Sequence, residues 1–317
     1  MPPVSAPARR AAPTLLPIAA LVLNAFVWGT SWWAFRRLGA AGLHPLWATA
    51  LVFTLAAAAI LAARPRALGQ VLRTPALWVL VLASGATNAA FNWAVVIGDV
   101  VRVILLFYLM PLWAVLLARL LLKERLSAIA ALRVALGLAG AAIVLWPADA
   151  SGLAGLPVPR SLADWLGVAG GFSFALNNVM LRREAARAEE GRALAMFLGG
   201  ALVAGALAAA LTWHDPSTRP PAPTVGWVGI ALGLALVFLA SNLALQFGAA
   251  RLPANLTAVV MLTEVVFAGA SSWLLGAGAM TAQSVLGGAL IVAGATLAAT
   301  GRRGTEGERA PPAASPG

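Results

Sequence analysis

The chain has 317 residues, of which 61% are hydrophobic and only 10% are charged. A soluble domain of this length needs a much larger charged fraction on its surface, so the composition excludes an ordinary globular protein. The net charge is +11, which we attribute to arginine in cytoplasmic loops rather than to nucleic-acid binding. Cysteine is absent, which excludes a disulfide framework, a zinc finger and a thiol nucleophile.

About twenty predominantly apolar residues span a bilayer core of about 30 Å, and such segments recur along the whole chain. They predict ten spanning helices, at about residues 15–35, 44–63, 75–98, 100–122, 128–146, 162–181, 193–213, 224–247, 254–275 and 281–300. Arg9 and Arg10 precede the first segment, so a cleaved or twin-arginine signal is an alternative interpretation of it. The ends, residues 1–14 and 301–317, are rich in Pro, Ala, Gly and Arg, which predicts disordered cytoplasmic tails.

The distribution of arginine and lysine predicts the orientation. With the N-terminus inside, the cytoplasmic segments hold 17 of the 22 basic residues. The external segments hold Arg36, Arg37, Arg102, Arg160 and Arg219. We therefore expect a multi-pass protein of the cell (inner) membrane with both termini in the cytoplasm and residues 148–161 as an external linker.

Four matches at a spacing near 150 residues predict that the chain is duplicated. They are 28–37 "WGTSWWAFRR" with 174–183 "FALNNVMLRR", 92–98 "NWAVVIG" with 242–248 "NLALQFG", 108–122 "YLMPLWAVLLARLLL" with 261–275 "MLTEVVFAGASSWLL", and Gly140 with Gly294. The two units would be residues 15–147 and 162–300, with five helices each. Because five is odd, the second unit enters the membrane from the opposite side, and such an inverted repeat is typical of secondary transporters.

The chain has a layout of five plus five helices, "WGTSWWAFRR" in the first helix, and "YLMPLWAVLLARLLLKERLS" leading from the fourth helix into the fifth. These features resemble the EamA-type transporters of the drug/metabolite transporter superfamily. The resemblance covers about residues 15–300. It implies an all-α integral membrane fold, in which two inverted five-helix repeats surround a central cavity. It also implies an exporter of amino acids, metabolites or drugs that works without ATP. The second half departs from the family pattern, with Glu264 and "GAGAMT" where a proline and a late "GE" are usual.

Polar side chains in lipid are costly, so we expect them to face a bundle interior or a cavity. The helices that carry them pair through the repeat, as the first with the sixth, the third with the eighth and the fourth with the ninth. We predict that the substrate-binding residues are Trp28, Ser31, Trp32, Asn88, Asn92, Tyr108, Asn177, Asn178, Asn242, Gln246 and Glu264. For any one asparagine, a hydrogen bond that joins two helices is the alternative. The tryptophans could instead lie in an interfacial belt.

Glu264 is the eleventh residue of its predicted span. This places it about 15 Å deep in the membrane, because a helix rises about 1.5 Å per residue. A charged carboxylate near the bilayer centre costs about 2.5–3.5 kcal/mol. The residue avoids this cost if it is protonated, if it pairs with a buried arginine, or if it faces a wet cavity. Of the nearest arginines, Arg133 lies toward the cytoplasm and Arg102 toward the outside, so neither is level with Glu264. In a cavity it would exchange a proton or bind a substrate ammonium group, whereas a protonated Glu264 bonded to a neighbouring helix would be structural.

The chain lacks a G-x-x-x-x-G-K-[ST] motif, which excludes an ATP-driven pump of the Walker type. The two histidines lie at segment ends, and no metal-ligand cluster or catalytic set is visible, so we expect no enzyme activity, metal or cofactor. Two interpretations remain: a secondary transporter for a small molecule, and a membrane-embedded enzyme or lipid-interacting scaffold. Polar groups at mid-depth favour the transporter. Its substrate, direction, coupling to protons and state as a monomer or homodimer stay open.

Overall fold

A computed structural model describes residues 15–122, 128–146, 158–184, 186–249, 260–261, 263–278 and 280–300. Within these ranges the chain forms helices and short connections and contains no strand. The helices are α1 (Leu15–Ala40), α2 (Pro45–Ala63), α3 (Arg66–Leu72), α4 (Pro75–Ile97), α5 (Val100–Phe107), α6 (Met110–Leu122), α7 (Ala128–Leu145), α8 (Leu162–Arg183), α9 (Glu189–His214), α10 (Val225–Ala249), α11 (Thr263–Leu274) and α12 (Ala282–Thr300). A 3-10 turn, Pro216–Thr218, lies between α9 and α10.

Six helical segments of the described chain are long and apolar enough to cross a membrane. They are Leu15–Ala40, Pro45–Ala63, Pro75–Ile97, Val100–Leu121, Glu189–His214 and Val225–Leu245. Shorter apolar stretches lie in α7 and α12. Large apolar side chains on these helices are exposed, as Leu120 is by 74% and Leu236 by 67%. Such a surface is costly in water and suits the hydrocarbon of a bilayer.

Each of the ten predicted spans contains at least part of one described helix. The short helix α3 was not predicted, and it connects α2 to α4. Several predicted segments lie outside the described residues. They are the two tails, residues 147–157 with most of the linker, the Lys123–Arg125 segment and most of residues 254–262.

The fourth predicted span is divided into two helices. α5 ends at Phe107 and α6 begins at Met110, and the amide of Tyr108 donates to the carbonyl oxygens of both Ile104 and Leu106. Pro111 occupies the first turn of α6, where its missing N–H removes no helical hydrogen bond. Broken helices inside a membrane are tolerated where protein surrounds them. Tyr108 is 3% exposed, which meets this condition.

The helices pack in specific pairs. α1 lies along α10 and α11, α4 lies between α8 and α9, α2 packs on α9, and α7 packs on α12. α4 and α9 approach most closely at two glycines, since a Cβ added at Gly85 would collide with the carbonyl oxygen of Gly199, and one at Gly199 with that of Val81. Small residues at such crossings let helix backbones meet, as is common in membrane bundles.

Several connections meet at one end of the bundle, which we call the upper end. The amide of Val100 donates to the carbonyl oxygen of Ala277 at 3.5 Å, and Pro221 lies beside Gly42, whose positive φ of 87° suits glycine. At the opposite, lower end, Gln70 Nε2 donates to Glu190 Oε1 at 3.1 Å. α1, α4, α9 and α11 therefore run towards the upper end, which is external in the predicted orientation.

Candidate functional site

A hydrogen bond joins the α5–α6 break to the acidic residue of α11. Tyr108 Oη donates to Glu264 Oε2 at 3.3 Å. Tyr108 is the one tyrosine of the chain, and the break places it at the seam with α11. Its side chain is buried, whereas Glu264 is partly exposed. Two of the predicted substrate-binding residues are thus hydrogen-bonding partners.

α1 approaches the same part of α11 very closely. A Cβ added at Gly29 would lie 2.7 Å from the carbonyl oxygen of Glu264, so only glycine fits without a shift. One turn further along α1, Trp32 Nε1 donates to Ser271 Oγ at 3.0 Å. Trp32 is 3% exposed. α1, the α5–α6 break and α11 therefore meet around Glu264, with Trp32 on the upper side of the glutamate.

A second polar contact lies between α1 and α10. Asn24 Nδ2 donates to Ser241 Oγ at 2.6 Å and to its carbonyl oxygen at 2.9 Å, and its buried Oδ1 has no partner within the described chain. Trp28 stacks on Phe238 with ring centroids 4.5 Å apart. Asn242 follows Ser241 and is partly exposed. Gln246 lies in the same helix, and its side chain is outside the described part of the structure.

The two predicted asparagines of α4 form hydrogen bonds inside the bundle. Asn88 Nδ2 donates to the carbonyl oxygen of Ser84 in the preceding turn at 2.8 Å. Asn92, which is fully buried, donates through Nδ2 to Thr49 Oγ1 of α2 at 3.1 Å. Ser84 Oγ in turn donates to the carbonyl oxygen of Met196 in α9 at 3.0 Å. The bond of Asn92 fits the alternative of a helix-to-helix contact, whereas Asn88 bonds within α4. For both residues a role in substrate binding stays a prediction.

The remaining predicted residues differ in burial. Ser31 is buried, and its Oγ donates to the carbonyl oxygen of Trp28 at 2.9 Å. Asn177 is 2% exposed, and its Oδ1 has no partner among the described residues. Asn178 is exposed, since adjacent helical residues point in different directions.

The predicted substrate-binding residues therefore lie at several different contacts between helices. Trp32, Tyr108 and Glu264 meet at one, whereas Trp28 and Asn92 lie at others. A cleft of about 570 Å³ at the upper end and an apolar groove of about 640 Å³ between α5, α11 and α12 are lined by other residues. The gathering of all eleven side chains around one central cavity therefore stays a prediction.

Charged residues at the upper end form a further cluster that the sequence analysis missed in part. Arg102 donates to both carboxylate oxygens of Asp164, from Nε at 2.7 Å and from Nη2 at 3.1 Å. Its Nη1 donates to the carbonyl oxygen of Val144 at 2.7 Å. Asp99 Oδ1 accepts from the amide of Arg102 at 2.8 Å and caps α5. Arg102 is therefore held at the upper end and does not reach Glu264.

Three partners had weak signals in the sequence. Thr49 is a polar residue in the otherwise apolar first half of α2, Ser241 precedes the predicted Asn242, and Asp164 is an acid just inside a predicted span. Each signal marks a residue that needs a partner in an apolar bundle. None of them identifies the partner, because the contacts are 43 (Asn92–Thr49), 217 (Asn24–Ser241) and 62 (Arg102–Asp164) residues apart.

Comparison with known proteins confirms the resemblance to EamA-type transporters. Residues 15–146 match the sequence model of the EamA-like transporter family. No curated protein matches the chain. One solved structure, titled "Crystal structure of protein", is 24% identical and has a TM-score of 0.56, and the alignment covers 92% of this chain and 98% of that one. At this identity the likeness concerns the fold alone.

Proposed function

Because residues 15–146 match the EamA-like transporter family and the described helices suit a multi-pass membrane protein, we propose that this chain is a secondary transporter. It moves a small metabolite, such as an amino acid or an amphipathic compound, across the inner membrane by alternating access. Export is the direction that the resemblance implies. The placement of Glu264 in an apolar segment carries the proposal, since an ionisable residue inside a membrane marks a substrate or ion path. Its hydrogen bond from Tyr108 also fits the structural alternative, so the experiment below must separate the two.

The proposal includes an inverted repeat of residues 15–147 and 162–300. The helix pairs support it, because exchanging the two units converts the α1–α10 pair into the α8–α4 pair, and both pairs occur. The same exchange converts the packing of α1 on α11 into the packing of α8 on α5 and α6, which also occurs. The α2–α9 and α7–α12 pairs convert into themselves. This pattern is what a two-fold axis in the membrane plane would produce.

In the proposed mechanism Glu264 accepts a proton or the ammonium group of the substrate. Tyr108 donates a hydrogen bond to the carboxylate in the described state, and a cationic group would compete with that hydroxyl. Trp28 is partly exposed beside the contact between α1 and α10, and aromatic faces attract organic cations. The buried asparagines would line the path when the seams separate.

Replacing Glu264 tests this role. Glu264→Gln keeps the size and hydrogen-bonding capacity of the side chain but cannot be ionised. In everted vesicles, with a panel of amino acids and cationic drugs, we expect it to abolish the pH dependence of transport or to raise the KM of cationic substrates about tenfold, which corresponds to about 1.4 kcal/mol.

The matched control is Glu189→Gln, the same change at an exposed position in the first turn of α9, which should transport as the parent does. If Glu264→Gln transports with an unchanged rate, affinity and pH profile, Glu264 is a structural residue and the proposed mechanism is wrong.

A further inference from the structure

The upper-end cleft is wide open to the outside, and its volume is that of a small-molecule site. Its volume of about 570 Å³ falls in the usual range of about 300–1,000 Å³. Its walls are the end of α1, the α1–α2 connection, the end of α4 and the 3-10 turn. The polar side chains among its lining residues are Arg36, His44, Ser217 and Thr218, and these lining residues include no aspartate or glutamate.

Hydrogen bonds hold the Arg36 side chain in a fixed orientation and leave one guanidinium nitrogen, Nη1, available. Its Nε donates to the carbonyl oxygen of Val95 at 2.9 Å, and its Nη2 to that of Gly98 at 2.6 Å. The guanidinium group lies over the ring of Trp32, 5.3 Å from the centroid. Nη1 makes no hydrogen bond within the described residues, although Asp99 attracts the group electrostatically. A fixed guanidinium with a free N–H is well suited to a carboxylate.

His44 adds a second donor. Its Nδ1 accepts from the amide of Leu46 at 3.2 Å, so in the neutral ring the proton is on Nε2. The ring packs edge-on against Trp93 at 5.2 Å between centroids. The nearby acid of the 3-10 turn, Asp215, accepts from both the amide and the hydroxyl of Ser217. These two bonds lower the pKa of Asp215 and keep its carboxylate turned to its own loop.

We infer that this cleft binds the carboxylate of a small solute, through Nη1 of Arg36 and Nε2 of His44. Leu43, Val96 and Ile97 form apolar walls beside the two donors, which suits a short apolar or uncharged remainder. The inference deepens the proposed function, on which its biological meaning rests: an amino acid would dock here by its carboxylate before or after its ammonium group meets Glu264. Binding itself requires no transport.

The test uses the natural lack of cysteine. Ala40→Cys places one thiol on an exposed residue that lines the cleft, and its reaction with a small hydrophilic thiol reagent is followed on purified protein in detergent. At constant ionic strength, acetate and glycine at tens of millimolar should slow the reaction about threefold or more, as expected for millimolar affinity, and tetramethylammonium should not. The control is Thr224→Cys, at an exposed position that is not among the lining residues, and its thiol should show no protection.

Two neighbouring arginines give the matched comparison. Arg36→Gln should abolish the protection, whereas Arg37→Gln should keep it, because Arg37 is exposed, lies over Trp33 and does not line the cleft. If Arg36→Gln fails to fold, His44→Asn provides the test instead. Asparagine still caps α2 but lacks the Nε2 donor, so protection of the thiol by carboxylates should weaken.

Equal protection in the parent and in the folded Arg36 or His44 variant overturns the inference, and so does a lack of protection by both carboxylates. Glu264→Gln should retain the protection, because Glu264 does not line the cleft. The experiment therefore separates a failure of this site from a failure of the proposed transport mechanism.

Discussion

At Gly29 the space for a side chain is already occupied by α11. A Cβ there would lie 2.7 Å from the carbonyl oxygen of Glu264 and 3.0 Å from the Cβ of Phe267. One helix must shift to admit it, so we expect Gly29→Ala to destabilise the protein by about 1–3 kcal/mol. The shift should also weaken the bond between Trp32 and Ser271. Thermal unfolding of the purified protein in detergent measures the change.

Gly137 of α7 supplies the control, because a Cβ there would meet nothing within 4 Å. Gly137→Ala should be neutral or should stabilise by up to about 1 kcal/mol, since alanine favours the helix. Equal melting temperatures for the two alanine variants would contradict the close-packing argument.

Individual polar residues could be predicted, but their partners could not. Glu264 stood out as an acid in an apolar segment and Tyr108 was among the predicted binding residues, but the hydrogen bond between them spans 156 residues of sequence. Periodicity places Asn88 and Asn92 on one face of α4. The structure nevertheless gives them different partners, Ser84 in the same helix and Thr49 in α2, because the choice depends on which helix packs there.

Between α5 and α6, we expect the break in the helix to depend on Pro111. An alanine at this position has an N–H that could donate to the carbonyl oxygen of Phe107, four residues earlier, and continue α5 into α6. We expect Pro111→Ala to redirect Tyr108 away from Glu264 and to lower transport about tenfold, equivalent to about 1.4 kcal/mol, without loss of thermal stability.

Tyr108→Phe is the comparison for this change, because it removes the hydroxyl and leaves the break intact. Both variants should lose transport to a similar degree. Parental transport by Pro111→Ala would show that the break does not position the tyrosine.

The elements were predictable to different extents for physical reasons. Apolar length alone marked the spans, because a bilayer requires about twenty residues of apolar helix. The short α3 has no such requirement, since seven residues cannot cross a bilayer. The break at Tyr108 was not predicted, because a proline in a span is compatible with both a kink and a new first turn, and the surrounding helices select between them.

At the scale of the whole molecule, the charge distribution predicts the orientation. The proposed cytoplasmic segments carry 17 of 22 basic residues, which the positive-inside rule assigns to the cytoplasm. Reporters fused at residues 5 and 310 should therefore give a cytoplasmic signal, and reporters at residues 157 and 220 an external one. A cytoplasmic signal at 157 or 220 would overturn the orientation and, with it, the inverted repeat.

The ion pair between Arg102 and Asp164 joins the two proposed repeats at the upper end. The Asp164 side chain is 5% exposed and that of Arg102 is 32% exposed, so the pair is only partly desolvated. Removing one partner of a fully buried ion pair lowers the free energy of unfolding by about 3–5 kcal/mol. Because Arg102 is partly exposed, we expect Asp164→Asn to lower it by only about 1–3 kcal/mol. Thermal unfolding in detergent measures this loss.

Asp215→Asn is the matched control, because Asp215 interacts with Ser217 in its own exposed loop and joins no helices. The melting temperature of this variant should equal that of the parent. The double variant Asp164→Asn/Arg102→Met should lose less free energy of unfolding than the two single variants lose in sum. The reason is that Arg102→Met removes the unpaired charge that Asp164→Asn leaves. Simple additivity in this double-mutant cycle would show that the pair does not hold the repeats together. A positive coupling energy would identify the upper end as a place where the two repeats are joined by charge, which must separate whenever that end opens.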